Sequence, residues 1–276
     1  MLKKITILGG LNKIGLPEKI QKLEIQAGEI LAVVGPTGSG KTQLIADIGQ
    51  VAEAETLTGR RVRIDDGEVN SNEDKQKLRY LMAQVSQNMN FVIDMTISEF
   101  LMMHAQVRAV PNPEMVLKEV LAITNHLSGE PVTFETNLTQ LSGGQSRALM
   151  VADVALLSNA PVVLIDEIEN AGIDRLKALD ILTGQGKIVL VVSHDPTLML
   201  MADKRVVMKN GGMDGICYTT EKERHILSEL VKTEKRVNRL REQLRKGKSL
   251  RSDYHEIDHH EEEELKLWQE YLYTCH

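Results

Sequence analysis

The stretch Gly35-Pro-Thr-Gly-Ser-Gly-Lys-Thr42 decides the fold of this chain. It fits the pattern G-x-x-x-x-G-K-[ST], in which backbone N–H groups surround the phosphates of a nucleotide. Glycines keep side chains out of the space that the phosphates need. Lys41 is predicted to reach the β- and γ-phosphate oxygens, and the Thr42 hydroxyl to ligate Mg²⁺. The predicted nucleotide-binding residues of this loop are Gly35, Pro36, Thr37, Gly38, Ser39, Gly40, Lys41 and Thr42.

The residues on both sides of this loop favour the same interpretation over a chance match in a Gly-rich turn. The apolar run from Glu29 to Val34 is typical of a buried strand. The segment from Gln43 to Ala52 has helical spacing, with one apolar face formed by Leu44, Ile45, Ile48 and Val51. The helix directs its positive N-terminal end at the phosphates.

Composition limits the class of protein. The chain has 276 residues, a hydrophobic content of 42% and a net charge of −6, so it can bury a core and direct nucleic-acid binding is not expected. Cys217 and Cys275 lack metal-ligand spacing, which favours a reducing compartment. No apolar stretch reaches the length of ~18 residues that a membrane span needs. We therefore expect a cytoplasmic protein without a span of its own.

The periodicity predicts strands that alternate with helices, and hence a mostly parallel α/β core. Strands are predicted over 4–8, 22–26, 29–34, 61–64, 80–86, 162–165, 188–192 and 205–208, the last of them closed by Asn210-Gly-Gly. The segment 71–76 reads as a loop or the start of an exposed helix. Between about residues 88 and 140 the chain is mostly helical, with a capping box at Thr96-Ile-Ser-Glu99. Its second helix, 113–126, is predicted to bury Met115, Val116, Val120 and Ile123.

Leu141-Ser-Gly-Gly-Gln145, together with the order of the other motifs, gives the chain a resemblance to the ATP-binding cassette (ABC) ATPases. The resemblance covers about residues 1 to 218. It implies a P-loop NTPase core of ABC type with a mainly parallel sheet, an N-terminal antiparallel β layer, a helical insertion and a C-terminal helical extension. We expect an ABC ATPase domain at 1–220, with its helical subdomain at about 88–140, and the extension at 221–276.

The resemblance also implies roles for residues that follow strand ends. Asp166 resembles the aspartate that holds Mg²⁺. Glu167 resembles the glutamate that polarises the attacking water, and His194 resembles the histidine that contacts the γ-phosphate. Gln87 resembles the glutamine that joins the metal to the helical insertion, with Gln84 as the competing choice. The expected catalytic residues are thus Glu167, His194 and Gln87, and the expected metal ligands are Thr42, Gln87 and Asp166.

In the family, the signature of one subunit caps the nucleotide of the other. The resemblance therefore implies that Ser142, Gly143, Gly144 and Gln145 bind ATP in trans, in a head-to-tail dimer with a second copy or a paralogous subunit. ATP hydrolysis would then drive a partner, most often a separate transmembrane subunit that would hold this chain at the inner face of the membrane. Alternatives are an ABC ATPase without a membrane partner, working in assembly or repair, and a nucleotide-gated scaffold.

Some features depart from the family pattern. No aromatic residue lies between Gly10 and Ile20 to stack on adenine, and the apolar candidates there are Leu11, Ile14 and Leu16. The turn Asn170-Ala-Gly-Ile-Asp174 is one residue longer than usual after the glutamate, and Ile168 replaces a proline. Because this turn belongs to the dimer contact, the departures affect the expected geometry of the dimer.

The C-terminal extension is open to two interpretations. Residues 221–246 are highly charged and carry a heptad-like apolar stripe, which fits either a partner-binding coiled coil or a helix packed on the domain. His255, His259 and His260 lie among acids, either as metal ligands or as part of a solvated stretch. An apolar stripe with Trp268 and Tyr271 follows and is expected to be docked.

Overall fold

A computed structural model describes residues 2–67, 71–86, 90–166 and 172–249 of the protein. Contacts among the described residues divide the chain into two compact units, with the division between Leu227 and Ser228. The expected domains and their boundary at residue 220 remain predictions.

Three strands form a small antiparallel layer. Strands β1 (Lys4–Leu8), β2 (Lys22–Gln26) and β4 (Arg61–Ile64) pair in the order β2-β1-β4. Alternating side chains such as Ile5, Ile7 and Leu23 are buried on the inner face of this layer. The turn Asp65-Asp66-Gly67 follows β4, with positive φ angles at both aspartates.

The main sheet has six strands in the order β5-β6-β7-β3-β8-β9. Five of them are parallel: β5 (Met82–Ser86), β6 (Val162–Asp166), β7 (Ile188–Val192), β3 (Ile30–Val34) and β8 (Lys204–Lys209). The central strands are apolar on both faces because helices and the small layer cover both sides of the sheet. Their carboxyl ends lie at one edge, where the polar motifs follow.

One prediction for this sheet is wrong. The strand at 205–208 is not the last, because β9 (Gly212–Tyr218) pairs with β8 in an antiparallel hairpin. Asn210 and Gly211 have φ angles of 50° and 84°, as a two-residue hairpin turn requires. β9 contains two glycines and an aspartate, so its composition gave no strand signal.

Helices pack on the sheet and form the insertion. Helix α1 (Lys41–Gly49) follows the glycine-rich loop, α2 (Asn72–Arg79) precedes β5, and α3 (Ile97–Val107) and α4 (Pro113–Ser128) belong to the insertion. A 3-10 turn (Leu138–Gln140) leads to α5 (Gly143–Leu156), and α6 (Arg175–Gly184) and α7 (Pro196–Met201) flank β7. The predicted capping box of α3 is present. The alternatives for 71–76 resolve to a helix, capped by Ser71.

The buried face of α4 differs from the prediction. Met115 is 64% exposed, whereas Leu117, Val120, Thr124 and Leu127 are buried. Val116 and Ile123 are only partly buried. Packing of α4 on α5 and α3 rotates the buried stripe by about one residue, a tertiary effect that the local pattern does not contain.

Helix α8 (Glu221–Arg245) closes the described chain. It is strongly charged, and Ile226, Val237 and Leu244 on its stripe are exposed. Within the described ranges, no helix combines the length and apolar character that crossing a bilayer requires. The histidine-rich stretch and the Trp268 stripe lie outside the described residues.

Candidate functional site

In the loop between β3 and α1, three glycines have backbone angles that other residues rarely adopt. Gly35, Gly38 and Gly40 have φ angles of 147°, 76° and 101°. A Cβ atom on Gly35 would lie 2.5 Å from the carbonyl oxygen of Met208, and one on Gly40 would lie 2.8 Å from the Cα of Gly211. The loop is thus bent around its own backbone and pressed against the β8–β9 turn, which explains the glycines by geometry.

Lys41 is held inside this curve. Its side chain is buried, and its Nζ donates to the carbonyl oxygens of Gly35 at 2.7 Å and Pro36 at 3.2 Å. Helix α1 begins directly at Lys41, and no side chain caps its first turn. The loop therefore presents a fixed ammonium and the uncapped N-terminus of a helix, a combination that fits the phosphates of a nucleotide.

Thr42 and Asp166 face the same cavity, which has a volume of about 310 Å³. Thr42 lies in the first turn of α1, and Asp166 is the last residue of β6. Gln84 of β5 also lines this cavity. A hydroxyl and a carboxylate beside a phosphate loop are the oxygen donors that Mg²⁺ prefers, so these residues fit the predicted metal ligands.

His194 follows the neighbouring strand. Val192, the last residue of β7, pairs in register with Asp166, which brings the two strand ends together. The turn is well fixed, because the Ser193 hydroxyl accepts from the backbone N–H of Asp195 at 2.9 Å and Asp195 caps α7. Asp195 also pairs with Arg175 at 2.7 Å. His194 itself is exposed on this turn, at the edge of the sheet where Asp166 also lies.

Gln87 and Glu167 lie outside the described residues. The residues immediately before them are Ser86 and Asp166, which end adjacent strands and pair in register. Ser86 and Asp166 thus lie side by side at the ends of their strands. The assignments of Gln87 and Glu167 remain predictions.

The signature residues begin helix α5. The Ser142 hydroxyl accepts from the N–H of Gln145 at 3.2 Å, and Gln145 Oε1 accepts from the N–H of Ser142 at 2.9 Å, which is a capping box. Ser142 and Gly143 are exposed, and the first turn of α5 carries no acid. Among the described residues that line the 310 Å³ cavity, none comes from this motif. The signature therefore presents a second helix N-terminus to solvent.

Sequence reasoning missed two sets of contacts around the phosphate loop. Lys13 donates from its Nζ to the carbonyl oxygen of Gly38 at 2.6 Å. Arg60 lies fully buried between Glu18 and Asp47. No spacing rule marks these residues, because the contacts join segments that are far apart in sequence.

Comparisons with known proteins decide the family. The sequence model described as ABC transporter matches residues 19–170. The chain belongs to the ABC transporter family. It is 52% identical over 252 residues to an uncharacterized ABC transporter ATP-binding protein of Methanocaldococcus jannaschii, covering 90% of this chain and 95% of the relative. This ABC protein therefore has a relative that matches it over nearly its whole length.

Solved structures give the same fold. CbiO1 of Clostridium perfringens, described as part of the ABC transporter complex CbiONQ, superposes with a TM-score of 0.61 at 20% identity, over 87% of this chain and 99% of the other. An ATP-binding cassette in a dimeric post-hydrolysis state with ADP and Pi gives a TM-score of 0.58 at 22% identity, over 78% and 99%. The predicted ABC-type fold and family are confirmed.

Proposed function

We propose that this ABC protein binds Mg-ATP and hydrolyses it to ADP and phosphate. The observation that carries the proposal is the buried Lys41 within the glycine loop, next to the cavity shared by Thr42 and Asp166. Membership of the ABC family supports ATP as the nucleotide. Thr42, Gln87 and Asp166 would hold Mg²⁺, which would neutralise charge on the β- and γ-phosphates.

Three side chains are proposed for the hydrolytic step. Glu167 accepts a proton from the attacking water, His194 contacts the γ-phosphate, and Gln87 links the metal to the helical insertion. Water attacks phosphorus, the bond to the ADP oxygen breaks, and the released products are ADP, phosphate and a proton. The register that pairs Asp166 with Val192 supports a common location for Glu167 and His194.

The second half of each site is proposed to come from another subunit. Ser142, Gly143, Gly144 and Gln145 would bind the γ-phosphate in trans, through the helix N-terminus that they expose. A dimeric ATP-binding cassette among the solved structures of the same fold supports this arrangement. The second subunit is proposed to be another copy of this chain or a paralogue, bound head to tail.

The work of hydrolysis is proposed to be delivered to a separate transmembrane subunit. The support is the family: the relative from Methanocaldococcus jannaschii is an ABC transporter ATP-binding protein, and CbiO1 is described as part of a transporter complex. We accordingly place the chain in the cytoplasm, peripheral to the inner face of the membrane through that partner. Co-purification of the partner with tagged protein from a detergent-solubilised membrane fraction would test this step.

The proposed catalysis is tested with purified protein and the variant Glu167→Gln. We expect ATPase activity of the wild type to rise more than linearly with protein concentration, because two subunits form each site. In size-exclusion chromatography with Mg-ATP, Glu167→Gln should run as a dimer and the wild type mainly as a monomer. Equal turnover in the two proteins would refute the role of Glu167, and failure of the wild type to bind Mg-ATP would refute the proposed function.

A further inference from the structure

Arg60 is a fully buried arginine beside the nucleotide loop. It lies directly before β4, and its side chain and those of Glu18 and Asp47 are 0% exposed. Arginine and acids are rarely buried to this extent unless they are paired. The cluster has two acids for one arginine, so its position in the fold requires an explanation beyond charge neutralisation.

The guanidinium of Arg60 is satisfied by three partners. Its Nε donates to both carboxylate oxygens of Glu18, at 3.1 and 3.3 Å, and its NH1 donates to Asp47 at 2.9 Å. Its NH2 donates to Glu18 and, at 2.9 Å, to the carbonyl oxygen of Gly211. Arginine suits this task because its planar fork can hold several acceptors in fixed directions at once.

Each partner belongs to a different segment around the phosphate loop. Asp47 lies on α1 and also accepts from Gln43 at 2.9 Å and from Thr58 at 2.8 Å. Gly211 lies in the β8–β9 turn, and its N–H donates to the carbonyl oxygen of Ser39 at 2.9 Å. Arg60 therefore joins the helix that carries Lys41 to the turn that supports the loop from behind.

The third segment is the loop 10–18, and Glu18 at its end is hydrogen-bonded to Gly10 at its start. Its carboxylate accepts from the N–H of Gly10 at 3.0 Å, and its own N–H donates to the carbonyl oxygen of Gly10 at 3.0 Å. The same carboxylate accepts from the N–H of Met213 at 2.9 Å. The two ends of the loop thus meet at the side chain that Arg60 holds.

The free side of the loop 10–18 lies next to the phosphate loop. The Nζ of Lys13 donates to the carbonyl oxygen of Gly38, and the backbone N–H of Lys13 donates to the carbonyl oxygen of Asn210 at 2.8 Å. Leu11, Ile14 and Leu16 are 45%, 70% and 56% exposed. Exposed apolar side chains on a loop that contacts the phosphate loop through Lys13 can pack against a planar base.

We propose that Arg60 is a positioning residue for nucleotide binding, which fixes the loop 10–18 against the phosphate loop so that its apolar side chains contact the base. The inference rests on the proposed nucleotide site. A buried charge cluster contributes little net stability compared with apolar residues of the same size, so fixing the geometry of the three segments is the gain. The base contact depends on Arg60 more than the phosphate contact does. Lys41 is held by the carbonyl oxygens of Gly35 and Pro36, whereas the loop 10–18 closes at the Glu18 carboxylate that Arg60 holds.

The test compares Mg-ADP with Mg-pyrophosphate by isothermal titration calorimetry. Both probes have phosphates, neither requires hydrolysis, and only ADP has a base. The variants are Arg60→Lys, which retains a charge but loses the fork, and the triple variant E18Q/D47N/R60M, which leaves no buried charge unpaired. Lys187→Met is the control, since it alters a buried lysine at the opposite end of the sheet. Thermal melting monitors the stability of each variant.

We expect both Arg60 variants to bind Mg-ADP about tenfold more weakly than the wild type, and Mg-pyrophosphate within about twofold, because only the base contact is lost. The control should bind both probes as the wild type does. Unchanged ADP affinity in a folded Arg60 variant would overturn the inference. Equal losses for both probes, or the same loss in the control, would also overturn it by showing a general structural effect. Failure of the wild type to bind either probe would count against the proposed function instead.

Discussion

Lys187 is a buried cation far from the site, and its environment makes stability depend on pH. Its Nζ donates to the carbonyl oxygens of Ser158 at 2.9 Å and Ala160 at 2.8 Å. Desolvation by burial, followed by the positive charge of Arg108, lowers the pKa of Lys187 from 10.5 to about 8, against the opposing effect of Asp153. The charged form is therefore less favoured in the folded protein than in the unfolded chain.

This lowered pKa predicts the sign of an alkaline effect. Between pH 8 and 10.5 the unfolded chain binds the proton and the folded protein releases it, so the free energy of unfolding rises with pH by an amount on the order of 3 kcal/mol. Below pH 8 the full cost of burying the charge is present. Urea unfolding of Lys187→Met and Lys187→Arg should lack this rise, since neither residue loses a proton there. A rise equal to that of the wild type in both variants would exclude Lys187 as its source.

Two glycines of the phosphate loop provide a matched pair of substitutions. Gly38 and Gly40 both have positive φ, so alanine costs about 1 kcal/mol of backbone strain at either position. A Cβ on Gly38 meets no atom within 4 Å, whereas one on Gly40 meets the backbone of Gly211. Gly40→Ala should therefore lower the melting temperature at least twice as much as Gly38→Ala, measured by differential scanning calorimetry. Similar shifts would indicate that the β8–β9 turn yields to the added methyl group.

At the residue scale, the sequence predicts what the backbone demands and misses what distant segments supply. The loop from Gly35 to Thr42 could be assigned because its glycines and lysine follow from the shape of a phosphate. Arg60 could not, because the charges that it meets lie 42 and 13 positions away and only the fold brings them together. The sequence shows that no aromatic residue lies near Leu11, but it does not show how the loop 10–18 is anchored.

At the element scale, helices α3 and α5 begin with the same capping arrangement. Thr96 and Glu99 form a capping box at α3, and Ser142 and Gln145 form one at α5. Removing the hydroxyl of either cap should cost about 1 kcal/mol of stability, because one N–H of the first turn loses its partner. The two motifs are therefore matched in structure.

Only one of these caps is proposed to touch nucleotide, which allows their roles to be separated. Thr96→Ala and Ser142→Ala should lower stability to a similar extent in chemical denaturation. In a Glu167→Gln background, Ser142→Ala should also weaken the ATP-dependent dimer, by about tenfold in its dissociation constant for one lost hydrogen bond to a charged group. Thr96→Ala should leave the dimer unchanged. Equal effects of both changes on the dimer would assign Ser142 a capping role alone.

Elements with a strong local pattern were predicted well. The bounds of β1, β2, β4 and β7 agree with the predicted strands, because each is an apolar or alternating run between clear turn residues. β9 was missed because it is a strand only through its pairing with β8. The face of α4 was misplaced at Met115 because packing on α5, and not the helix itself, selects the buried stripe.

At the scale of the whole molecule, the order of the motifs predicted the fold and the family, whereas the proposed site requires residues of two chains. Thr42 and Asp166 line one cavity within the subunit, while Ser142 of the signature is exposed to solvent. Head-to-tail pairing joins the exposed signature of one copy to the phosphate loop of the next, as a closed twofold dimer permits. Each dimer would then have two composite sites.

A mixing experiment tests this composite site most directly. Lys41→Ala removes the phosphate contact, and Gly143→Asp places a negative charge where the signature would meet the γ-phosphate. Each variant should be inactive alone. In a mixed dimer, one site combines both defects and the other is intact, so an equimolar mixture should regain ATPase activity of about a quarter of the wild type. A mixture that stays as inactive as its components, although both bind the other chain, would contradict a nucleotide site shared between two subunits.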